Sequence, residues 1–320
     1  MDFIALKYLP VKGNVCCLKV INDKIYVGTN RNHVLIYERR YNLSSTFITQ
    51  YIEIILNIFN YQDITYICNK NIVESMDEKP VDYSMNTKWI YDVIIFDNLV
   101  YKLSDDHIDI VNKNMVVKFV NFSNLALFVS NLVIFNNKVC FMDNFGNLYL
   151  VDSNGNISID EYIKYGEKDI DGIYVTAIKI LANGEYLYVS HTTNRENIIY
   201  IFKGKHLITK RVSQNAVISM VIHHGVTICG HTNGYISLWM RDILAPPIKV
   251  HSYDIIHLVS FNDQLWLGMN KLVLVLGEYH KHHYSGLPQG QLDKLTEWES
   301  AAIPIHKDIN ILFIRELLRE

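Results

Sequence analysis

Residues 23–37 read DKIYVGTNRNHVLIY. Two short apolar runs flank a small polar turn that takes in Gly28. Residues 225–239, GVTICGHTNGYISLW, have the same form. Such a segment reads as a β-hairpin. β-Branched and aromatic side chains suit a pleated, half-buried surface, and Asn and Gly accept the positive φ of a tight turn. A hairpin repeated far along one chain raises the question of further copies between.

Further copies are present. Apolar first strands can be anchored at 15–21 (VCCLKVI), 53–59 (EIILNIF), 89–96 (WIYDVIIF), 131–135 (NLVIF), 175–181 (VTAIKIL), 217–222 (VISMVI) and 255–261 (IIHLVSF). Their centres lie about forty residues apart, a period typical of radially repeated β-structure. Each anchor is followed by a second and a third strand, as in KIYVGT and HVLIY or in KVCFMDNFGNLYLVD; the second unit, ITYICNKNIVES, is the shortest. Turns are expected at Asn32, 144–147, Asn233–Gly234 and Asn270. More polar fourth strands are expected at 46–51, 115–120, 156–160, 206–211 and 248–252.

Four antiparallel strands repeated seven times predict an all-β fold, a seven-bladed β-propeller over residues 1–284. A short helical extension is expected over 285–320. Each blade has an apolar face that it cannot cover alone, and closing the ring covers them all. Residues 3–9, FIALKYL, precede the first unit and read as a strand, while the seventh unit lacks its outer one. The N-terminal strand is therefore expected to complete the last blade.

The segments NRNHVLIY, FGNLYLVD and TNGYISLW, with their spacing, resemble the WD-repeat propeller superfamily over residues 3–280. The Trp-Asp dipeptide of that family is missing from every unit. Its nearest remnants are Trp239 and Gly230-His231, read here as lying in a turn, so the family's His–Asp relay is assigned to no position. The first unit, VCCLKVINDKIYVGTNRNHVLIYERR, is also similar to the opening of citron-homology domains, a divergent propeller subclass found in membrane-tethering subunits.

Composition narrows the functional classes. Of the 320 residues, 49% are hydrophobic and 20% charged, enough for a packed core and too apolar for a disordered chain. The formal net charge of −3 gives no bulk attraction to nucleic acid or membrane, so any such contact needs a local patch. Cys16, Cys17, Cys68, Cys140 and Cys229 are odd in number and sit in apolar runs without ligand spacing. They are expected to be reduced, buried thiols, which fits a cytoplasmic or nuclear compartment. No apolar run is long enough to span a bilayer, and the N-terminus does not read as a signal peptide.

No nucleophile elbow, phosphate loop, zinc-protease motif or dinucleotide fingerprint is present, so the chain is expected not to be an enzyme and to need no cofactor. The cluster His280, Lys281, His282 and His283, with His251 and His257 upstream, lacks the spacing of a closed metal site and reads as a solvated loop. Arg39, Arg40, Lys203, Lys205, Lys210, Arg211 and Lys281, interleaved with Tyr37, Tyr41, Tyr200 and Tyr284, form a candidate RNA or phosphate contact. In the tail, 291–303 has helical composition ended by Pro304, and Asp308 can cap a helix over 309–319. Ile309, Leu312, Phe313 and Leu317 share one face of that helix, which is expected either to pack on a blade's flank or an end of the ring or to dock into a partner's groove, and they are the candidate partner-binding stripe. The expected function is a non-catalytic scaffold for protein partners in a multisubunit complex. Alternatives are an RNA- or ribosome-associated factor, similar to ribosome-bound or tRNA-modification propellers, and a membrane-tethering subunit. A hydrolase using a central channel is a further alternative; neither DNA nor an integral membrane is an expected partner.

Overall fold

The computed structural model describes residues 3–278 apart from 39–40, 50–53, 70–72, 77–89, 105–106, 113–114, 122–129, 153, 164–174, 241–242 and 246. The proposed tail helices, with Ile309, Leu312, Phe313 and Leu317, lie outside the described residues.

Seven antiparallel sheets follow one another as blades. The N-terminal strand β1 (Phe3–Pro10) is held for the last of them. Blade 1 is β2 (Val15–Ile21), β3 (Lys24–Thr29), β4 (His33–Tyr37) and β5 (Leu43–Ile48). Blade 2 is β6 (Asn57–Tyr61), β7 (Ile64–Cys68) and β8 (Val73–Ser75), with three strands among the described residues. Blade 3 is β9 (Ile90–Phe96), β10 (Leu99–Ser104), β11 (His107–Asn112) and β12 (Met115–Asn121). Blade 4 is β13 (Val133–Phe135), β14 (Lys138–Met142), β15 (Asn147–Val151) and β16 (Ile157–Glu161). Blade 5 is β17 (Val175–Asn183), β18 (Tyr186–Thr193), β19 (Asn197–Lys203) and β20 (His206–Ser213). Blade 6 is β21 (Val217–His223), β22 (Val226–His231) and β23 (Tyr235–Met240), edged by two short pieces, β24 (Ile243–Leu244) and β25 (Ile248–Lys249). Blade 7 is β26 (His257–Phe261), β27 (Gln264–Met269) and β28 (Leu272–Glu278), and its fourth strand is β1, paired antiparallel from Phe3↔Glu278 to Pro10↔Leu272.

The core is seven layers rather than one centre. Each buried apolar cluster lies between two neighbouring blades. Leu9, Leu18, Val27, Trp266 and Val275 fill the seam between blades 7 and 1. Cys17, Val34, Ile55 and Ile67 fill the next, and five similar clusters complete the circuit. Inward and outward alternation along each strand therefore sends apolar side chains to both faces, because both faces meet another blade.

Two details differ from the expectations. The most regular punctuation is the turn between first and second strands. Asn22-Asp23, Gln62-Asp63, Asp97-Asn98, Asn136-Asn137, His224-Gly225 and Asn262-Asp263 all have positive φ, the mark of a tight hairpin of type I′. At the last hairpin Lys271, not Asn270, takes the positive φ. Fourth strands also shift: β5 spans Leu43–Ile48 rather than 46–51, and blade 6 has two short edge pieces in place of one strand over 248–252. Outer strands lie at the rim with little buried surface, so their register is weakly written in the apolar pattern.

Gly28 and Gly230 sit within β3 and β22, not in turns, and neither has a positive φ. Close approach explains them. A Cβ on Gly28 would stand 2.6 Å from Ile55 of blade 2, and one on Gly230 would stand 2.7 Å from Ile255, which leads into blade 7. Gly268 admits Val15 of blade 1 in the same way. The glycine of the repeated hairpin is a socket for the next blade.

Candidate functional site

The seven first strands stand round a central channel. Its cavity is about 340 Å³ and takes side chains from every blade. One register position recurs: Cys17, Asn57, Asp92, Asn131, Lys179, Ser219 and His257 each stand at the same distance before their blade's first tight turn, and all seven line the cavity.

Most of this ring clasps one blade to the next. Asn57 Nδ2 donates to Asp92 Oδ1 (2.7 Å) and to the Val93 carbonyl (3.3 Å). Asp92 Oδ2 accepts from Leu132 N–H (2.9 Å), and Oδ1 from Val93 N–H (2.9 Å). Asn131 donates to the Ile180 carbonyl (2.9 Å) and accepts from its N–H (3.0 Å). Ser219 Oγ donates to the Ile255 carbonyl (2.8 Å). His257 reaches the backbone of Cys16 across the seam from blade 7 to blade 1. First strands do not hydrogen-bond one another as a sheet, so these side chains satisfy polar groups that would otherwise be buried unpaired.

Lys179 departs from the pattern. Neither its ammonium nor that of Lys19, which also lines the cavity, makes an ion pair or hydrogen bond with any described residue. Burial pushes the Lys179 ammonium below its ordinary value; Asp92 opposes that and Lys19 adds to it. His257 is pushed down to about 3, by burial first and then by Lys179 and Lys19, against its backbone hydrogen bond at Cys16. Its imidazole is neutral at pH 7. The thiols of Cys17, Cys68 and Cys229 are driven up to about 12 mainly by burial, which leaves them inert small hydrophobes.

No protein-family model matches this chain, and no curated protein matches it. Solved structures do. A catalytically inactive histidine-to-alanine variant of virginiamycin B lyase from Staphylococcus aureus, with quinupristin, aligns with a TM-score of 0.71 at 12% identity over 87% of this chain and 100% of that one. BamB from Moraxella catarrhalis aligns at 0.61 and 11% identity, over 88% of this chain and 100% of that one. The likeness is one of fold, and 1129 solved chains share it, so the fold selects no activity.

The candidate basic contact is dispersed. Arg39, Arg40 and Lys281 lie outside the described residues. Lys203, at the end of β19, pairs with Glu185 in the turn between β17 and β18 at 3.2 Å, and Lys205 pairs with Asp160 of β16 at 2.6 Å. Lys210 lies over the ring of Tyr200, with Arg211 beside it on β20. Of the histidines, 280, 282 and 283 lie outside the described residues, and among the described residues no group of three His, Cys, Asp or Glu side chains is placed to hold a metal ion. His223 is buried with Nδ1 2.7 Å from Ser260 Oγ, and His224 occupies the turn opposite Asp263.

Gly230-His231 ends β22 rather than lying in a turn. His231 Nε2 is 2.6 Å from Ser237 Oγ and Nδ1 is 3.2 Å from the Asn215 carbonyl, a buried link that pins the turn leading into β23. In blade 4 Asp143 does the corresponding work, accepting from Phe145 N–H, Asn147 and the Tyr149 hydroxyl. The polar channel ring escaped the sequence reading. Its signal was a polar residue in the middle of a largely apolar anchor, Asn57 in EIILNIF, Asp92 in WIYDVIIF and Lys179 in VTAIKIL.

Proposed function

We propose that the chain is a non-catalytic scaffold, a divergent relative of the WD-repeat propellers, that holds protein partners at its rim within a multisubunit complex. The outer edge of blade 5 carries this reading. β20 is eight residues long and exposed almost throughout, with Leu207 at 51%, Ile208 at 44% and Val212 at 65% of full exposure. A long apolar edge offers a row of open N–H and C=O groups, and proteins usually blunt such edges with charge, a bulge or a cover. Here the edge keeps its apolar residues and adds Lys210 and Arg211, neither paired with a carboxylate among the described residues. The chemistry suits an extended segment with alternating apolar residues and acidic flanks, added as a fifth strand. Blade 7 shows the same mode within the molecule, where β1 is added to β28 from the far end of the chain.

The RNA-bound reading draws less support, because Lys203 and Lys205 already face carboxylates. The test is affinity purification of the wild type and of a Leu207→Asp/Val212→Asp variant, each with and without nuclease. Partner chains that survive nuclease and fall at least about tenfold in the variant, at unchanged melting temperature, support the scaffold. Partners lost on nuclease treatment, or retained by the variant, overturn it.

A further inference from the structure

We infer that the central channel is a binding site for a small oxyanion of the phosphate or polycarboxylate class, held by Lys19 and Lys179. Two lysines, from blades 1 and 5, line one partly open cavity of about 340 Å³, and no acceptor among the described residues bonds to the ammonium of either. Both side chains are half-buried, and two like charges that share one partly desolvated space raise each other's cost unless an anion pairs with them.

The ring offers a single counter-charge of its own, Asp92, which favours the charged form of Lys179. Asp92 is the one carboxylate among the described lining residues, and it accepts from Asn57, Val93 and Leu132. Asn131 and Ser219 use their donors on backbone carbonyls of the next blade. His257 is uncharged, so it adds a polar contact without adding repulsion. The described lining therefore carries two cationic side chains against one anionic, on a chain whose net charge is −3. A channel with low-dielectric walls concentrates that local field.

An oxyanion supplies what is missing, several acceptor oxygens and negative charge between the two lysines. The cavity lies at the small end of the range for ligand pockets, which suits inorganic phosphate, pyrophosphate or citrate and leaves no room for a folded polymer. The occupant is thus a free small molecule rather than a nucleic-acid backbone. Its binding would tie blade 1 to blade 5 across the ring, stiffening the disc while the rim stays open.

The experiment uses the full chain. Melting temperature and isothermal titration are followed against sodium phosphate, pyrophosphate and citrate, with sodium chloride at matched ionic strength. The expected result is one saturable site per chain, a melting temperature raised by at least one of the oxyanions and not by chloride, and at least a tenfold weaker affinity in Lys19→Met/Lys179→Met. Lys179→Arg keeps the charge and is expected to bind within a few-fold of wild type. Lys203→Met, at the rim, is expected to bind as wild type does. Equal shifts with chloride, undiminished binding in the double methionine variant, or displacement of the bound oxyanion by a single-stranded RNA oligonucleotide would overturn the assignment.

Discussion

At Gly230 a hydrogen is the largest side chain the ring can hold. A Cβ there would meet Ser219 Oγ at 2.5 Å and Ile255 Cγ2 at 2.7 Å, inside the seam between blades 6 and 7. Ser219 is already bonded to the Ile255 carbonyl, so neither neighbour can move without loosening the clasp. Gly230→Ala is therefore expected to destabilise the protein by about 1–3 kcal/mol, the usual cost of overfilling a packed interior. Thermal denaturation measures it; an unchanged melting temperature would mean that the two blades do not meet at this point. Glycine was conspicuous in the repeated hairpin, yet its reason was illegible there. A turn glycine and a socket glycine look alike in sequence, and only the neighbouring blade distinguishes them.

Strands of one hairpin behave differently according to what stands beside them. β1 and β20 are both outer strands, each the fourth of its sheet, but β20 continues its own blade's chain while β1 reaches blade 7 from the other end of the ring. β1 adds a ladder along β28 and carries Leu9 into the seam between blades 7 and 1. Deleting residues 1–10 is expected to strip that ladder, uncover β28 and lower the melting temperature by roughly 10 °C or more, since a single large apolar side chain withdrawn from a core already costs about 2–5 kcal/mol. A synthetic peptide spanning residues 1–12, added in trans, should restore part of the loss. Melting the truncated chain at the wild-type temperature would show that the ring does not need this closure. First and second strands were readable because apolar runs and tight turns mark them. Outer strands were read unevenly: β12, β16 and β20 lie within two residues of expectation, whereas β5 starts three residues early and blade 6 has two short pieces, because the rim imposes little pattern on them.

Across the whole molecule, burial of histidines links stability to pH. His191 is fully buried, and burial holds it down to about 4 against a backbone hydrogen bond at Asn144; His231 is lowered for the same reason. In the unfolded chain both titrate near 6.5. Between about 6.5 and 4 the unfolded chain takes up protons that the folded chain refuses, so stability rises with pH and is lost on acidification through that window. The contribution of His191 alone is on the order of 3 kcal/mol. Burial alone would raise the Asp109 carboxyl, but His107 and the ammonium of Lys102, 3.2 Å away, hold it below its ordinary value; its share of stability is lost as pH falls through still lower values. Melting temperature is expected to be level above pH 7 and to fall steeply from pH 6.5 to 4. A flat profile across that range would contradict the burial of these imidazoles.

The sequence by itself determined the architecture. Hairpin chemistry is local: turn residues with positive φ, and β-branched and aromatic runs on either side, recur at a near-constant period, and that period admits a ring of blades. It also marked FIALKYL as a strand left over at one end and a gap at the other. Tertiary structure alone decided what the repeat was for at each position. The same place in seven first strands holds Cys17, Asn57, Asp92, Asn131, Lys179, Ser219 and His257, which share no chemistry along the chain and become one ring only when the blades converge on an axis. Whether a polar residue is a clasp, a solvated side chain or an unpaired charge depends on what faces it, and in this fold what faces it comes from the next blade.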